Sequence, residues 1–201
     1  NNPTGNCIPE AEVRQLAESV PAAMVVIDEA YVEFADSSLV RLVNEYENVL
    51  ILRTFSKAFG LAGLRVGYAV VPEWLLGIYK KVAIPFSVNS IAIQAAIAAL
   101  RDKDHLRRSI ELVKSGRLFL EKNLQGSFKV YPSKANFVLV DVSPRKSYEV
   151  CDALEKNGIT VRDCSSFRGA GDSFIRISVG TQEENEKLIE TLKHVLSAKR
   201  F

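Results

Sequence analysis

Two short, uninterrupted apolar runs constrain the fold of this chain more than any other feature. Residues 23–27 and 49–52 are apolar at every position, whereas a strand with one solvated face alternates apolar and polar residues. A helical pattern with apolar residues at Val13, Leu16 and Val20 precedes the first run. A helix followed by buried strands is typical of α/β proteins, and this order predicts a mostly parallel sheet covered on both faces.

Polar residues follow both runs directly, at the points where the predicted strands end. Asp28 comes after the first run, and Thr54 and Lys57 come shortly after the second. Because ligands of open α/β sheets bind outside the carboxyl ends of the strands, this edge of the sheet is the expected binding site.

The segment that follows the second run combines one lysine with hydroxyls, arginines and glycines. Lys57 lies between Phe55 and Phe59, and burying a lysine costs free energy, so its position requires an explanation. It is either a solvated loop residue or a Schiff-base lysine, whose pKa falls when desolvation and nearby cations disfavour its charge. In the second case Thr54 and Arg65 suit a bound phosphate, and the glycines let the backbone approach it closely.

Three motifs occur in order along the chain. Asn2-Pro3-Thr4-Gly5 is followed by Asp28-Glu29-Ala30-Tyr31, and then by Ser56-Lys57 with a glycine-rich segment that ends at Gly67. In this order the chain resembles the fold-type-I aminotransferases that depend on pyridoxal phosphate (PLP), and within them the branch that acts on histidinol phosphate. The resemblance extends over essentially the whole chain but corresponds to the latter portion of the family's sequence. We therefore expect a C-terminal part of a longer protein, and the chain has no initiator methionine.

The resemblance implies PLP as the cofactor and gives roles to the motif residues. Lys57 would hold PLP as a Schiff base and move a proton during catalysis, and Asp28 would keep the pyridine nitrogen protonated. Tyr31 and Asn2 would hydrogen-bond the 3′-oxygen of PLP. Apart from the resemblance, Asp28 could cap a helix or form a structural salt bridge, Tyr31 could belong to the core, and Asn2 could be a turn residue.

Two arginines in the C-terminal part of the chain are predicted to bind the substrate. In the predicted strand 174–179, Arg176 lies on the face opposite the alternating apolar residues. In the resembled family this arginine holds the acidic group of the substrate, a task suited to its planar fork, although Arg176 could instead pair with a surface acid. Arg162 resembles a second arginine that helps to bind the substrate phosphate, and Asn2 is also expected to contact the substrate.

These roles imply the transamination of a phosphorylated amine, histidinol phosphate, with 2-oxoglutarate as the second substrate, in a homodimer. Three alternatives stay open: a threonine-phosphate decarboxylase, another class I or II aminotransferase, and the aminotransferase-like sensor domain of a transcription regulator. The isolated chain of 201 residues is expected to be inactive, because it lacks the upstream strands of its sheet and the residues that a partner subunit contributes.

The composition argues against several other classes of protein. Lysine and arginine total 26 against 24 aspartates and glutamates, a balance that does not indicate a nucleic-acid surface. Cys7, Cys151 and Cys164 are odd in number and irregularly spaced, which argues against a disulfide framework and for a reducing, cytoplasmic environment. No apolar run reaches membrane-spanning length, and no spacing of His, Cys and Asp indicates a metal site.

The predicted domain boundary lies along a long amphipathic helix at about residues 104–124. Residues 1–110 are predicted to be the C-terminal part of the PLP-binding large domain, and residues 111–201 a small α+β domain. Glu29 and Glu33 match no family role and are predicted to be structural or solvent-facing.

The remaining elements are predicted from apolar patterns and from turn and capping signals. In the first domain they are a strand at 66–71, a helix at 73–82 and a helix at 91–100 that Ser90 caps. In the second they are strands at 136–142, 159–162 and 174–179, a helix at 147–156, and a last helix that begins with a capping box, Thr181 with Glu184.

Overall fold

The computed structural model describes residues 1–197, which form two compact units. One unit is Cys7–Ile110, and the other consists of Asn1–Asn6 together with the chain from Glu111 onward. Compactness alone does not assign a function to either unit, so the division into a cofactor-binding domain and a small domain stays a prediction. Among residues 1–197, no helix is both long enough and apolar enough to cross a lipid bilayer.

The first unit is built around a three-stranded mixed sheet. Helix α1 (Glu10–Ser19) precedes strands β1 (Val25–Asp28), β2 (Val49–Thr54) and β3 (Gly67–Val70), which lie in this order in the sheet. β1 and β2 are parallel, whereas β2 and β3 are antiparallel. The predicted α/β class is confirmed, and β3 departs from the parallel direction. The connection from β2 to β3 contains a 3₁₀ turn (Ala62–Leu64) and no crossover helix, and parallel neighbours need such a crossover.

One face of this sheet carries the core of the first unit. Val25 and Ile51 are buried there against α1 and the 3₁₀ helix Val40–Asn44. On the opposite face, Val26 is 54% exposed and Leu52 is 41% exposed. The uninterrupted apolar runs predicted a sheet covered on both faces, and within the described part of this unit the second face is left largely open.

Two further helices follow the sheet in the first unit. α2 (Glu73–Val82) has the predicted bounds, and α3 (Ser90–Arg101) extends one residue beyond its prediction at each end. The predicted Ser90 cap is wrong, because the Asn89 side chain accepts the hydrogen bond from the Ala92 N–H at 2.8 Å. Asn and Ser are both favoured caps, so the sequence alone does not decide between the two adjacent positions.

The second unit is built around a four-stranded antiparallel sheet. Its elements are α4 (Lys103–Leu124), within which the boundary between the units falls, β4 (Lys129–Tyr131), β5 (Phe137–Asp141), α5 (Ser147–Glu155), β6 (Arg162–Asp163), β7 (Phe174–Ser178) and α6 (Gln182–Ser197). The strand order is β4-β5-β7-β6, and every neighbouring pair is antiparallel. Apolar residues of β5, β7 and the three helices form the core, which confirms the small α+β fold.

The local details of this unit follow the sequence unevenly. The capping box is confirmed, since the Thr181 N–H donates to Glu184 Oε2 at 2.7 Å and the Glu184 N–H donates to Thr181 Oγ1 at 3.3 Å. β4 has three residues and was not predicted. β6 shares only Arg162 with the predicted strand at 159–162, because Ile159 and Val161 pack against the core without pairing as part of a strand.

Candidate active site

Asp28 and Thr54 lie at the carboxyl ends of two adjacent parallel strands. Asp28 is in register with Leu52 across the β1–β2 pair, and Thr54 lies two residues further along β2. Because side chains alternate along a strand, all three share the open face of the sheet. The Asp28 carboxylate is exposed, and its Oδ1 accepts a hydrogen bond from the Ala30 N–H at 2.9 Å. The fold therefore brings Asp28 and Thr54 to one edge and one face of the sheet.

Lys57 follows the end of β2 and lies beside Tyr31. The Lys57 Nζ is 5.4 Å from the centroid of the Tyr31 ring, a distance at which an ammonium and an aromatic face attract each other. Phe55 and Phe59 are buried and their rings pack at 4.9 Å, but the Lys57 side chain itself is exposed. Lys57 is thus not a buried lysine within this unit. It lies beside Tyr31, another residue of the predicted site.

Hydroxyls and an unusual backbone conformation occur on either side of the glycine-rich segment. Thr54 Oγ1 donates a hydrogen bond to Ser56 Oγ at 2.9 Å and accepts one from the Ser56 N–H at 3.0 Å. Arg65 has a left-handed backbone with φ of 52°, which is costly for a residue other than glycine. Its exposed guanidinium donates to the Ala62 carbonyl at 3.0 Å. A Cβ added to Gly63 would meet no atom of the described residues within 4 Å apart from its chain neighbours, so a ligand can approach the backbone from that side.

In the second unit, Arg176 is held in place by two other residues. Its Nη1 donates to Asn2 Oδ1 at 2.7 Å, although 174 positions separate the two residues in sequence. The guanidinium carbon lies 5.0 Å from the centroid of the Phe137 ring. The Arg176 Nε is buried and has no hydrogen-bond partner among the described residues. A half-buried guanidinium that is already held in place by Asn2 and Phe137 is suited to bind an anionic group.

Arg162 lies directly opposite Arg176 across the β6–β7 pair. Side chains of directly opposed residues lie on the same face of a sheet, with Cβ atoms roughly 5 Å apart, and like charges in such a pair repel. Arg162 is exposed, and its guanidinium lies 5.8 Å from the Phe167 ring and 3.4 Å from Ser166 Oγ. A bound anion with several acceptor oxygens would relieve the repulsion between the two arginines.

The segment that carries Asn2 is fixed to the turn before β5. The Lys134 N–H donates to the Gly5 carbonyl at 2.7 Å, and the Gly5 N–H donates to the Asn1 carbonyl at 2.8 Å. Gly5 has a φ of 76°, and a Cβ on it would lie 2.7 Å from the Ser133 Cβ and overlap Ser133 Oγ. A glycine is therefore required at this position by conformation and by space.

The predicted site residues thus form two groups, one in each unit. The first unit contains Asp28, Tyr31, Thr54, Lys57 and Arg65. The second unit contains the group formed by Asn2, Arg162 and Arg176.

A family model for "Aminotransferase class I and II" matches residues 1–192. The chain belongs to this family. The match covers nearly all of the described residues and includes every predicted site residue.

Known aminotransferases resemble the chain in sequence and in fold. It is 56% identical, over 193 residues, to the histidinol-phosphate aminotransferase of Methanosarcina mazei, and the match covers 96% of this chain and 52% of that protein. The crystal structure of the histidinol-phosphate aminotransferase from Clostridium acetobutylicum superimposes with a TM-score of 0.92 at 29% identity, over 98% of this chain and 62% of that one. The corresponding enzyme from Sinorhizobium meliloti, solved in complex with pyridoxal-5′-phosphate, gives a TM-score of 0.86 at 30% identity, over 98% and 55%. The chain therefore spans about half the length of the curated relatives it matches.

A buried ion pair next to the family's motif residues was missed by the sequence analysis. Glu29 is 8% exposed and accepts hydrogen bonds from Arg53 Nε at 3.0 Å and Arg53 Nη2 at 2.8 Å. It also accepts from Ser38 Oγ and from the Leu39 N–H at 2.6 Å. Part of the signal was present in the sequence, since Glu29 and Arg53 are opposite charges near the ends of two apolar runs that were predicted to be strands of one sheet. The register that brings the two residues together was not part of that signal.

Glu33 was predicted to be structural or solvent-facing, and its carboxyl is partly buried, in keeping with the structural alternative. Burial raises the pKa of the Glu33 carboxyl, although the charge of Arg53 opposes the shift. Its Oε2 is buried and has no hydrogen-bond partner among residues 1–197.

Within the same described residues, no group of three or more His, Cys, Asp or Glu side chains is arranged to hold a metal ion.

Proposed function

We propose that this chain provides the lysine-containing half of a histidinol-phosphate aminotransferase that depends on PLP and uses 2-oxoglutarate as its second substrate. The observation that carries the proposal is the position of the Lys57 amine beside Tyr31, next to the strand ends that present Asp28 and Thr54. The 56% identity to the Methanosarcina mazei enzyme supports the choice of substrate. Because the chain spans about half of such relatives, the activity belongs to the complete enzyme.

The residues of the first unit have the chemistry that PLP requires. Lys57 offers an exposed amine to the aldehyde, and Asp28 offers a carboxylate that can hold a proton on the pyridine nitrogen. The Tyr31 hydroxyl suits the 3′-oxygen of the ring. When bound, the cofactor accepts electrons from the substrate carbon, which makes the proton on that carbon removable. The Lys57 amine, once released, is the base that we assign to move this proton.

The phosphate of the cofactor is assigned to Thr54 and Arg65. Thr54 carries a hydroxyl at the carboxyl end of β2, and Arg65 carries a guanidinium on the far side of the glycine-rich segment. Hydroxyls, guanidinium groups and exposed backbone N–H groups are common phosphate ligands in proteins. The left-handed backbone at Arg65 supports a functional constraint at this position.

The substrate phosphate is assigned to Arg162 and Arg176, with Asn2 as a further contact. The two arginines are directly opposed on one face of the antiparallel sheet. One bidentate arginine satisfies a carboxylate, whereas a phosphate carries more charge and more acceptor oxygens and can engage two arginines. This pairing favours a phosphorylated amine over a plain amino acid.

We also propose that the complete enzyme is a cytoplasmic homodimer. The cysteines of this chain, Cys7, Cys151 and Cys164, are free thiols, in keeping with a reducing environment.

Substrate preference of a full-length protein that contains this chain tests the proposal. Catalytic efficiency is measured with histidinol phosphate, histidinol, aromatic amino acids and threonine phosphate on one preparation, with 2-oxoglutarate saturating. We expect efficiency to fall at least tenfold when the phosphate is absent. Equal efficiency with histidinol and histidinol phosphate would refute the substrate assignment. Release of carbon dioxide from threonine phosphate would favour the decarboxylase, and PLP binding without turnover of any of these substrates would favour a sensor domain.

A further inference from the structure

The buried ion pair between Glu29 and Arg53 connects the two strand ends that carry the proposed cofactor residues. Glu29 directly follows Asp28 at the end of β1, and Arg53 directly precedes Thr54 on β2. The Glu29 N–H donates to the Leu52 carbonyl at 2.9 Å, so the backbone ladder continues to this point. The ends of the two parallel strands are therefore linked by a side-chain ion pair as well as by backbone hydrogen bonds.

The pair is well satisfied for a group with so little exposure. The carboxylate of Glu29 and the guanidinium of Arg53 form two N–H to oxygen contacts, and their side chains are 7% and 19% exposed. Ser38 Oγ accepts from Arg53 Nη2 at 2.7 Å and donates to Glu29 at 3.0 Å, and the Leu39 N–H also donates to Glu29. The Tyr68 hydroxyl accepts from Arg53 Nη1 at 3.4 Å, which extends the network to β3. Buried charges of this kind are stable when they are paired and their remaining hydrogen-bonding capacity is used.

Strand alternation makes this pair relevant to the opposite face of the sheet. Arg53 lies on the covered face, so the adjacent Thr54 lies on the open face. By the same alternation Glu29 lies on the covered side and Asp28 on the open face. If β1 and β2 shifted by one residue, Asp28 and Thr54 would no longer be presented on the same face. An ion pair that fixes the register of β1 and β2 from the covered side therefore also keeps Asp28 and Thr54 together on the open face.

We propose that Glu29 and Arg53 are positioning residues that hold Asp28 in fixed relation to Thr54 and Lys57. The inference rests on the proposed function, because it assigns the fixed residues to the PLP site. Neither Glu29 nor Arg53 would contact the cofactor itself. They act through the two strand ends to which they belong.

The experiment uses the full-length protein and compares Glu29→Gln, Arg53→Lys, Arg53→Met and the double variant Glu29→Gln/Arg53→Met. The matched control is Glu45→Gln, which removes the Arg14–Glu45 ion pair (2.6 Å) of the same unit. The measurements are the dissociation constant of PLP, the pH midpoint of the visible absorbance of bound PLP, and kcat and KM for histidinol phosphate. Amide hydrogen exchange at residues 28–31 and 54–57 is measured in the cofactor-free proteins.

We expect Glu29→Gln and Arg53→Met each to raise the PLP dissociation constant about tenfold, to shift the pH midpoint of the absorbance, and to lower kcat more than KM changes. The double variant should be no worse than the worse single variant, because the two changes break the same interaction. Arg53→Lys, which keeps the charge but not the fork, should recover part of the loss. Glu45→Gln should leave PLP affinity and the pH midpoint unchanged.

Two results separate this inference from the proposed function. If the unsubstituted protein does not bind PLP, the proposed function fails, and faster exchange at both strand ends in Glu29→Gln and Arg53→Lys would still support the positioning role. If Glu29→Gln lowers the melting temperature but changes neither exchange at residues 54–57 nor PLP affinity, the pair is merely structural and the inference is wrong. Arg53→Lys retains a buried cation next to Glu29, so it supplies a folded protein for the exchange measurement if the neutral variants do not fold.

Discussion

Replacing Arg176 with alanine should cause a large and specific loss of activity toward a phosphorylated substrate. The Arg176 guanidinium is half-buried, packs on Phe137 and is hydrogen-bonded to Asn2, so it needs little ordering before it binds an anion. Removing a charged partner from a buried anion costs about 2–5 kcal/mol. Because Arg176 is half-buried rather than fully buried, we expect about 2–3 kcal/mol, or roughly 30- to 150-fold in kcat/KM.

The exposed Arg162 should contribute less than its opposed neighbour. An exposed charge pair is typically worth about 1 kcal/mol or less, so Arg162→Ala should lower kcat/KM by roughly fivefold. Arg176→Lys should remain well below the unsubstituted enzyme, because lysine lacks the planar fork. Arg168→Ala removes an exposed arginine of the same unit and serves as the matched control, with no change expected.

The assay is steady-state kinetics on the full-length protein with histidinol phosphate and with histidinol, at saturating 2-oxoglutarate. The PLP dissociation constant is measured in parallel and should not change in either arginine variant. If Arg176→Ala lowered efficiency equally for both substrates, Arg176 would not recognise the phosphate. A loss smaller than twofold would show that Arg176 does not meet the substrate's anionic group at all.

Four further predictions concern the cofactor, the Asn2 segment and the isolated chain. In the full-length protein, Lys57→Ala should lose the visible absorbance of bound PLP. A PLP adduct that borohydride still fixes to this variant would contradict the assignment of Lys57. Asp28→Asn should retain PLP but lose activity by orders of magnitude, because the ring nitrogen loses its acid partner. Gly5→Ala should lower the unfolding free energy by about 1–3 kcal/mol in chemical denaturation, owing to its positive φ and the clash with Ser133, and an unchanged midpoint would argue against this packing. The isolated 201-residue chain should self-associate in sedimentation experiments, because apolar side chains such as Phe86 (99% exposed) are uncovered. It should not turn over substrate, because it spans about half of the enzymes that it matches. A monodisperse, active monomer would disprove both expectations.

Local signals in the sequence predicted the helices of the fold better than its strands. The helix at 73–82 and the capping box at Thr181 follow from nearest-neighbour chemistry, and both appear as predicted. The direction of β3 was not predictable from its apolar residues, because parallel and antiparallel neighbours differ in their connections rather than in their composition. β4 has three residues, which is too short for a period-2 pattern to be distinguished from a loop.

The candidate site was less predictable, because its properties depend on contacts between distant segments. The residue types and their order indicated Lys57 and Asp28, but the exposure of Lys57 depends on what packs over it. The Glu29–Arg53 pair required knowledge of the register between β1 and β2, which neither apolar run specifies by itself. The contact between Asn2 and Arg176 joins opposite ends of the chain, and no local pattern predicts it.

The grouping of Asn1–Asn6 with the C-terminal unit has a consequence for dissection of the chain. All of Cys7–Ile110 lies between these six residues and the rest of their unit, so the segment must close a long loop before it can dock. A recombinant piece that begins at Glu111 would retain the antiparallel sheet and helices α5 and α6 but would leave Arg176 without Asn2. Supplying the first six residues as a separate peptide would then measure the affinity of that segment for its unit directly, free of the intervening chain.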